Sequence, residues 1–325
     1  MNIIVAYRGI PHAPGRETGA GLARAFRRLG HSVYEYGNYY RTSRRLTDHD
    51  VPANPDLLVY CECNDDDSQY YELKSMRATH KVYWDFDIST HPVHTLLFMW
   101  RMGFDQVYYA NLLYEKTFKS LFPHSQLLPY AIDDEFHRKM PEVEKSIDVG
   151  LVGSPYPARV ALIGTLVRAG INAQLLNGFY GGDLVRLINS LKIHLNYNTT
   201  KTRGLLVGRV WETTGCGTAL LTQREDFIDM FFEDNRHVVT YSSIEDCIFR
   251  CRQLLADKDL REKIALDGML MVHQQHTYLC RAKAILDAYR VRKSTDMAPQ
   301  RNLTWIGQIA RTAAREGIRS KPLGD

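Results

Sequence analysis

The 325-residue chain has little that would commit it to a membrane, a disulfide framework or a nucleic acid. Its six cysteines, Cys61, Cys63, Cys216, Cys247, Cys251 and Cys280, are sparse and form no metal-ligand pattern with histidine. Reduced, buried thiols and no metal site are therefore expected. No stretch approaches the roughly 18–20 apolar residues of a spanning helix. The opening apolar run, residues 2–7, has the length of a strand and ends at Arg8, so no signal peptide is expected and the location expected is cytoplasmic. Net charge is only +4, too small to imply nucleic acid by itself, though it tolerates a diphosphate donor or a polyanionic acceptor. Internal repeats and low-complexity tracts are lacking as well.

What remains is an ordinary globular composition, 45% hydrophobic and 24% charged. The length favours two domains. Residues 3–7 read as a β-branched strand, and 8–21 as a loop with four glycines and two prolines. An amphipathic helix begins near Gly21, and a turn and second strand follow over 30–36. This βαβ start favours a parallel sheet. The glycine-rich loop lacks the spacing of a dinucleotide fingerprint, and no acid closes the second strand as that fingerprint requires. Open α/β sheets nevertheless place ligands at the carboxyl ends of strands. Gly15, Arg16 and Gly19 are thus candidate contacts in a cleft, against the plainer reading of a surface loop.

Further strands are expected over 57–60, 81–87 and 106–110. The third of these runs is followed by helix from Asn111. The second carries Asp85 and Asp87 at its carboxyl end, with His91 close behind. Two carboxylates two residues apart in extended chain share a face, and one could take a proton from an acceptor hydroxyl. A strand-end aspartate that caps the next helix is the competing reading. The charged stretch 137–145 marks the expected boundary, giving an acceptor-side domain over 1–143 and a second domain over 144–289. The second domain opens with a strand over 147–152 and a tight turn with Arg159 at the start of the next helix, where a guanidinium can meet a diphosphate. After a helix and a strand over 172–176, the loop Gly178-Phe179-Tyr180 offers an aromatic face for a nucleotide base, against the equal reading of a plain β-to-α turn. Helices are expected over 244–256 and 258–290.

Residues 191–222 carry the most chemistry. A short apolar strand leads into a polar loop containing Thr199, Thr200, Lys201 and Arg203. A helix then presents Arg209 and Glu212 on one face, since residues three apart are neighbours on a helix. It stops at Gly215-Cys216-Gly217, where glycine can take a left-handed cap, and an apolar strand follows. Loop amides, a helix N-terminus and three cations make an anion site. Glu212 supplies an acceptor for a pair of sugar hydroxyls.

The run Glu212-Thr213-Thr214-Gly215-Cys216-Gly217-Thr218-Ala219-Leu220-Leu221-Thr222 resembles the nucleotide-sugar-binding core of the group 1 glycosyltransferases. With Arg209-Val210-Trp211 before the acid, it is most similar to the spore-maturation-protein subgroup. The likeness extends through 146–290 and is looser upstream. It implies an α/β fold of two Rossmann-like domains facing across a cleft, the GT-B arrangement. It also implies sugar transfer from a nucleotide-diphosphate sugar to an acceptor hydroxyl, metal-independent and retaining, with no cofactor besides that co-substrate. In the resemblance Glu212 holds the ribose, and Arg209, Arg203, Lys201, Thr200, Thr199 and Arg159 neutralise the diphosphate. Many relatives have a second Glu eight residues before the first, where it would contact the donor sugar; here that position is Gly204.

Two other readings keep the same phosphate site, a nucleotide-sugar epimerase and a non-catalytic nucleotide-sugar or glycan-binding module. The acceptor is open among glycan, small molecule and hydroxylated base in DNA. Residues 290–325 hold eight Lys/Arg against three Asp/Glu, with helical spacing over 302–318. This basic segment is expected to cross back to the first domain, and contact with nucleic acid is the sharper alternative.

Overall fold

The computed structural model describes residues 1–295 apart from 12, 41, 43, 48, 49, 62–71, 87, 90, 91, 199–203 and 226. By contacts the chain divides into two units. One is Met1–Pro129 with the described part of Arg281–Asp325, and the other is Tyr130–Cys280.

The first unit is built on the strands β1 (Asn2–Ala6), β2 (Ser32–Tyr36), β3 (Leu57–Cys61), β4 (His80–Asp85), β5 (Gln106–Tyr109) and β6 (Gln126–Leu127). They form one parallel sheet in the order β2-β1-β3-β4-β5-β6. Every residue of β3 is buried, as expected of a central parallel strand covered on both faces. Helix α1 (Thr18–Arg28) follows β1 and buries Leu22, Ala23 and Phe26. Helices α2 (Pro92–Met102) and α3 (Glu115–Leu121) cross between later strands. The rings of Tyr60, Tyr83, Phe98 and Phe104 pack with centroids 4.9–6.3 Å apart at the centre of the core.

The second unit carries β7 (Ile147–Val152), β8 (Ala173–Leu176), β9 (Leu191–Asn196), β10 (Ala219–Gln223) and β11 (Val239–Tyr241). Its parallel sheet has the order β11-β10-β9-β7-β8. The chain therefore steps from β7 outward to β8, then returns to the other side of β7 as β9. The gap between the carboxyl ends of β7 and β9 is the switch point where such sheets hold ligands. The helices are α4 (Pro157–Arg168), α5 (Gly181–Ser190), α6 (Gly208–Gly215), α7 (Ile244–Ala256) and α8 (Lys258–Gln275). Trp211 of α6 is fully buried against Phe231, Phe232 and His276, and donates to the Leu206 carbonyl at 3.2 Å.

The contact division falls at Pro129 and Tyr130, ahead of the charged stretch 137–145. Ile132 packs with Val210, Trp211 and Leu220, and Met140 N donates to Asn189 Oδ1 at 2.8 Å, so the stretch from Tyr130 is built into the second unit. The helix expected over 258–290 is two helices, α8 and α9 (Tyr278–Thr295). The break comes at His276 and Thr277, whose backbone pairs with Ile132 through Ile132 N to His276 O and Tyr278 N to Ile132 O, both 2.9 Å. Pairing with a second strand withdraws those groups from the helical ladder. From Arg281 onward α9 belongs to the first unit: Arg281 Nε donates to Pro129 O at 2.9 Å, Tyr289 packs on His80, and Arg292 donates to Asp105 O. Residues 296–325, with the expected helix over 302–318, lie outside the described residues. No helix among the described residues is long and apolar enough to cross a membrane.

Candidate functional site

In the second unit the loops after β7, β8 and β9 leave the sheet at one end, with Val152 opposite Leu176 and Gly150 opposite His194. The turn after β7 begins at Gly153, φ +154°, whose amide donates to Leu176 O at 2.9 Å. A Cβ on Gly153 would lie 2.7 Å from Arg159 Nη1, so glycine lets the guanidinium lie across the turn. Arg159 donates to Ser154 O at 3.3 Å and to Tyr197 O at 3.1 Å, and its guanidinium lies 5.4 Å from the Tyr156 ring centroid. It therefore spans the switch point from the end of β7 to the end of β9. Its Nε–H is buried without an acceptor. Burial first, and after it the Arg209 charge, hold the Arg159 pKa below its ordinary value, while Tyr156 works in the other direction.

Arg209 sits in the first turn of α6, whose N-cap is Val207; that side chain makes no cap, and of the first-turn amides Val210 N donates to Val207 O at 2.9 Å. Glu212 is not a free carboxylate. Its Oε2 accepts from Arg209 Nη1, and its Oε1 is 3.9 Å from His137 Nε2. The spacing that puts both residues on one helix face also lets them pair when no ligand separates them. Both side chains remain about a quarter exposed, at 25% and 24%. His137 accepts from Asp133 N through Nδ1 at 3.2 Å, which leaves the Nε2–H directed to Glu212. Burial is the main reason its pKa lies below the usual histidine value.

His194 was not singled out by sequence and proves to be the group on which the site stands. It is buried in β9, accepts from Val152 N at 3.3 Å through Nε2, and bonds Thr213 of α6 through Nδ1. One neutral imidazole thus ties the end of β7 to the helix that carries Arg209 and Glu212. Burial, with smaller contributions from Arg209 and Arg159, pushes its pKa down to about 3. A histidine inside the apolar run Ile193-His194-Leu195 was the available signal.

The rest of the polar loop divides. Asn196 and Asn198 turn inward: Asn196 Nδ2 donates to Thr222 Oγ1 at 2.9 Å, and Asn198 Nδ2 to Glu225 Oε1 at 3.3 Å. Thr199, Thr200, Lys201 and Arg203 lie outside the described residues. Gly204 has φ +80°, a backbone region that penalises any side chain. Gly204→Glu is expected to lower stability by about 1–2 kcal/mol, read as a lower urea midpoint; an unchanged midpoint would contradict the strain. Gly178, φ +86°, precedes the exposed Phe179 and Tyr180 after β8, which with Tyr156 put three exposed aromatics at this end of the sheet.

In the first unit, Gly15 (φ +74°) accepts from Arg24 Nη1 at 2.6 Å, Arg16 is exposed, and Gly19 packs directly on Tyr7. Between them Glu17, missed by sequence, is buried with Oε2 lacking a hydrogen-bond partner, and burial raises its pKa. Asp85 is fully buried, and its Oδ2 accepts from Ile88 N at 3.3 Å, a turn-holding contact within its own loop. Asp87 and His91 lie outside the described residues. Among the described residues no group of three His, Cys, Asp or Glu could hold a metal ion.

Residues 131–287 match a family model described as glycosyl transferase-like. No curated protein sequence matches the chain at a significant level. Solved structures do. Sucrose-phosphate synthase from Thermosynechococcus elongatus aligns with TM-score 0.61 and 11% identity, over 91% of this chain and 100% of its own. The Anabaena protein Alr3699/HepE, in complex with UDP and glucose, aligns with TM-score 0.62 and 11% identity, over 90% of this chain and 100% of its own. A DNA-modifying β-glucosyltransferase, studied with and without uridine diphosphoglucose, aligns with TM-score 0.59 and 14% identity, over 91% and 100%. These likenesses show the fold: the chain has the two Rossmann-like domains of the GT-B glycosyltransferase structures.

Proposed function

We propose that the protein transfers a glycosyl group from a nucleoside-diphosphate sugar to an acceptor hydroxyl, with the donor's pyrophosphate at the switch point of the second unit. The observation that carries this reading is Arg159, which bridges the ends of β7 and β9 and keeps a buried Nε–H without an acceptor, in the same unit as α6, whose N-cap side chain makes no cap. A guanidinium and helix-start amides at the carboxyl ends of strands favour an anion. The leaving nucleoside diphosphate gains negative charge as the glycosidic bond breaks. Donors fixed in advance by Gly153, His194 and α6 stabilise that charge without reorganisation. Once a phosphate engages Arg209, Glu212 is released to accept the two ribose hydroxyls, with His137 alongside. Phe179, Tyr180 and Tyr156 give faces for the base.

The chemistry so described is metal-independent, and the resemblance favours retention of configuration and the spore-maturation-protein subgroup. Thr199, Thr200, Lys201 and Arg203 join the phosphate site in this reading, and the loop with Gly15, Arg16 and Gly19 serves the acceptor side. UDP-sugars are the first donors to try, since Alr3699/HepE is described with UDP. Incubation with labelled UDP-glucose and other nucleotide sugars tests it. Slow release of the nucleoside diphosphate supports transfer. A 2-epimer, or saturable binding without turnover, would replace the reading by an epimerase or a binding module. Glu212→Ala is expected to weaken nucleoside diphosphate binding about tenfold to a hundredfold, the worth of a charged hydrogen-bonding group, with the fold intact. Unchanged affinity by calorimetry would remove Glu212 from the site.

A further inference from the structure

At the other end of the same sheet, below the amino ends of β9 and β10, lies a cavity of about 100 Å³ lined by Lys139, Lys145, Lys192, Arg261 and Glu262, with Met269 on its wall. Four cations face one carboxylate. Lys192 is paired with Asp148 at 2.6 Å, but among the described residues no carboxylate pairs with Lys139, Lys145 or Arg261. Lys145 Nζ donates to Asn189 O at 3.3 Å, Leu191 O at 2.8 Å and Thr218 Oγ1 at 3.1 Å. Thr218 in turn donates to Ile188 O at 2.8 Å. These neutral acceptors orient the ammonium and leave its charge uncancelled. Burial first, then the Lys139 and Arg261 charges, push the Lys145 pKa down to about 8, against weak opposition from Cys216 and Glu262.

Arg261 adds a buried cation to this wall. It is more than nine-tenths buried, and its Nη1 donates to the neutral Leu254 O at 2.6 Å, so that bond also leaves the charge uncancelled. The space has room for a tetrahedral oxyanion.

We propose that this cavity binds a small tetrahedral oxyanion of the phosphate class, separate from the nucleotide site and held by Arg261, Lys139 and Lys192 in the field of Lys145. The anion cancels repulsion among groups that the fold keeps together, so it stabilises the protein. Sulfate is the cleanest probe, because its charge does not change near neutral pH. In thermal denaturation of the full chain at matched ionic strength, sulfate in place of chloride is expected to raise Tm by roughly 2–4 °C. The rise should shrink as pH passes above the Lys145 value, where that amine loses its proton. The double variant Lys139→Gln/Lys192→Gln, whose changes lie at the cavity wall, should lose most of the rise, and Arg209→Ala, which removes a cation from the nucleotide site, should keep most of it. No rise in the parent protein, an undiminished rise in the double variant, or its loss in Arg209→Ala would each overturn the proposal. Glycerol phosphate distinguishes sources of the ligand: a rise equal to that with inorganic phosphate supports a phosphate ester, and a rise with the inorganic ion alone supports the free ion.

Discussion

Arg209→Ala is expected to reduce turnover of the nucleotide sugar by about 10²–10³, the usual cost of removing one preorganised donor from a developing charge. Its effect on folding should be far smaller. Arg209 is a quarter exposed and pairs with Glu212 one helical turn away, a geometry worth at most about 1 kcal/mol in partly solvated pairs. The core beneath rests on Trp211, not on this arginine. A measured loss in turnover with a nearly unchanged denaturation midpoint would fit a ligand-binding guanidinium. A midpoint that collapses with the activity would make Arg209 a structural brace for α6 instead. Arg209→Lys separates charge from geometry, since an ammonium keeps the sign but not the forked donors.

Acidification should unfold the second unit by a route that histidine dictates. His194 has a folded pKa of about 3, against an ordinary value of 6.5. Between these values the unfolded chain binds a proton that the folded protein refuses, so stability falls as pH drops through the window. From pH 6.5 to about 4, this one residue removes on the order of 3 kcal/mol, at about 1.4 kcal/mol for each pH unit. His137, lowered chiefly by burial, adds to the same limb. Urea midpoints across this range check the sign and the size. His194→Gln should start from a lower stability, having lost a bond at each ring nitrogen, and should show a shallower acid limb. An equally steep limb in that variant would mean that the imidazole is protonated in the folded protein.

The strands were legible because their apolar runs are short and bounded by glycine, proline and asparagine; residues 147–152 were assigned with the bounds that the structure has. So was the face of α6, since a spacing of three needs only the helix itself. Less legible were features whose cause lies far along the chain. The break between α8 and α9 depends on Ile132 pairing with Thr277, and sequence periodicity holds no record of that partner. The inward turn of Asn196 and Asn198 depends on Thr222 and Glu225, and from sequence alone these asparagines belong to a polar loop open to ligand. His194 looked like part of an apolar strand until Val152 and Thr213 were brought to its two nitrogens. The Arg209–Glu212 pair follows from that same spacing, since residues three apart on a helix reach one another as readily as they reach a ligand.

A crystal structure of the protein with a bound nucleoside diphosphate is the most direct measurement. The pyrophosphate is expected against Arg209, Arg159 and the first-turn amides of α6, with the Arg209–Glu212 pair opened and Glu212 on the ribose hydroxyls. A nucleotide bound elsewhere, with Arg209 and Glu212 still joined, would contradict the assignment of this site.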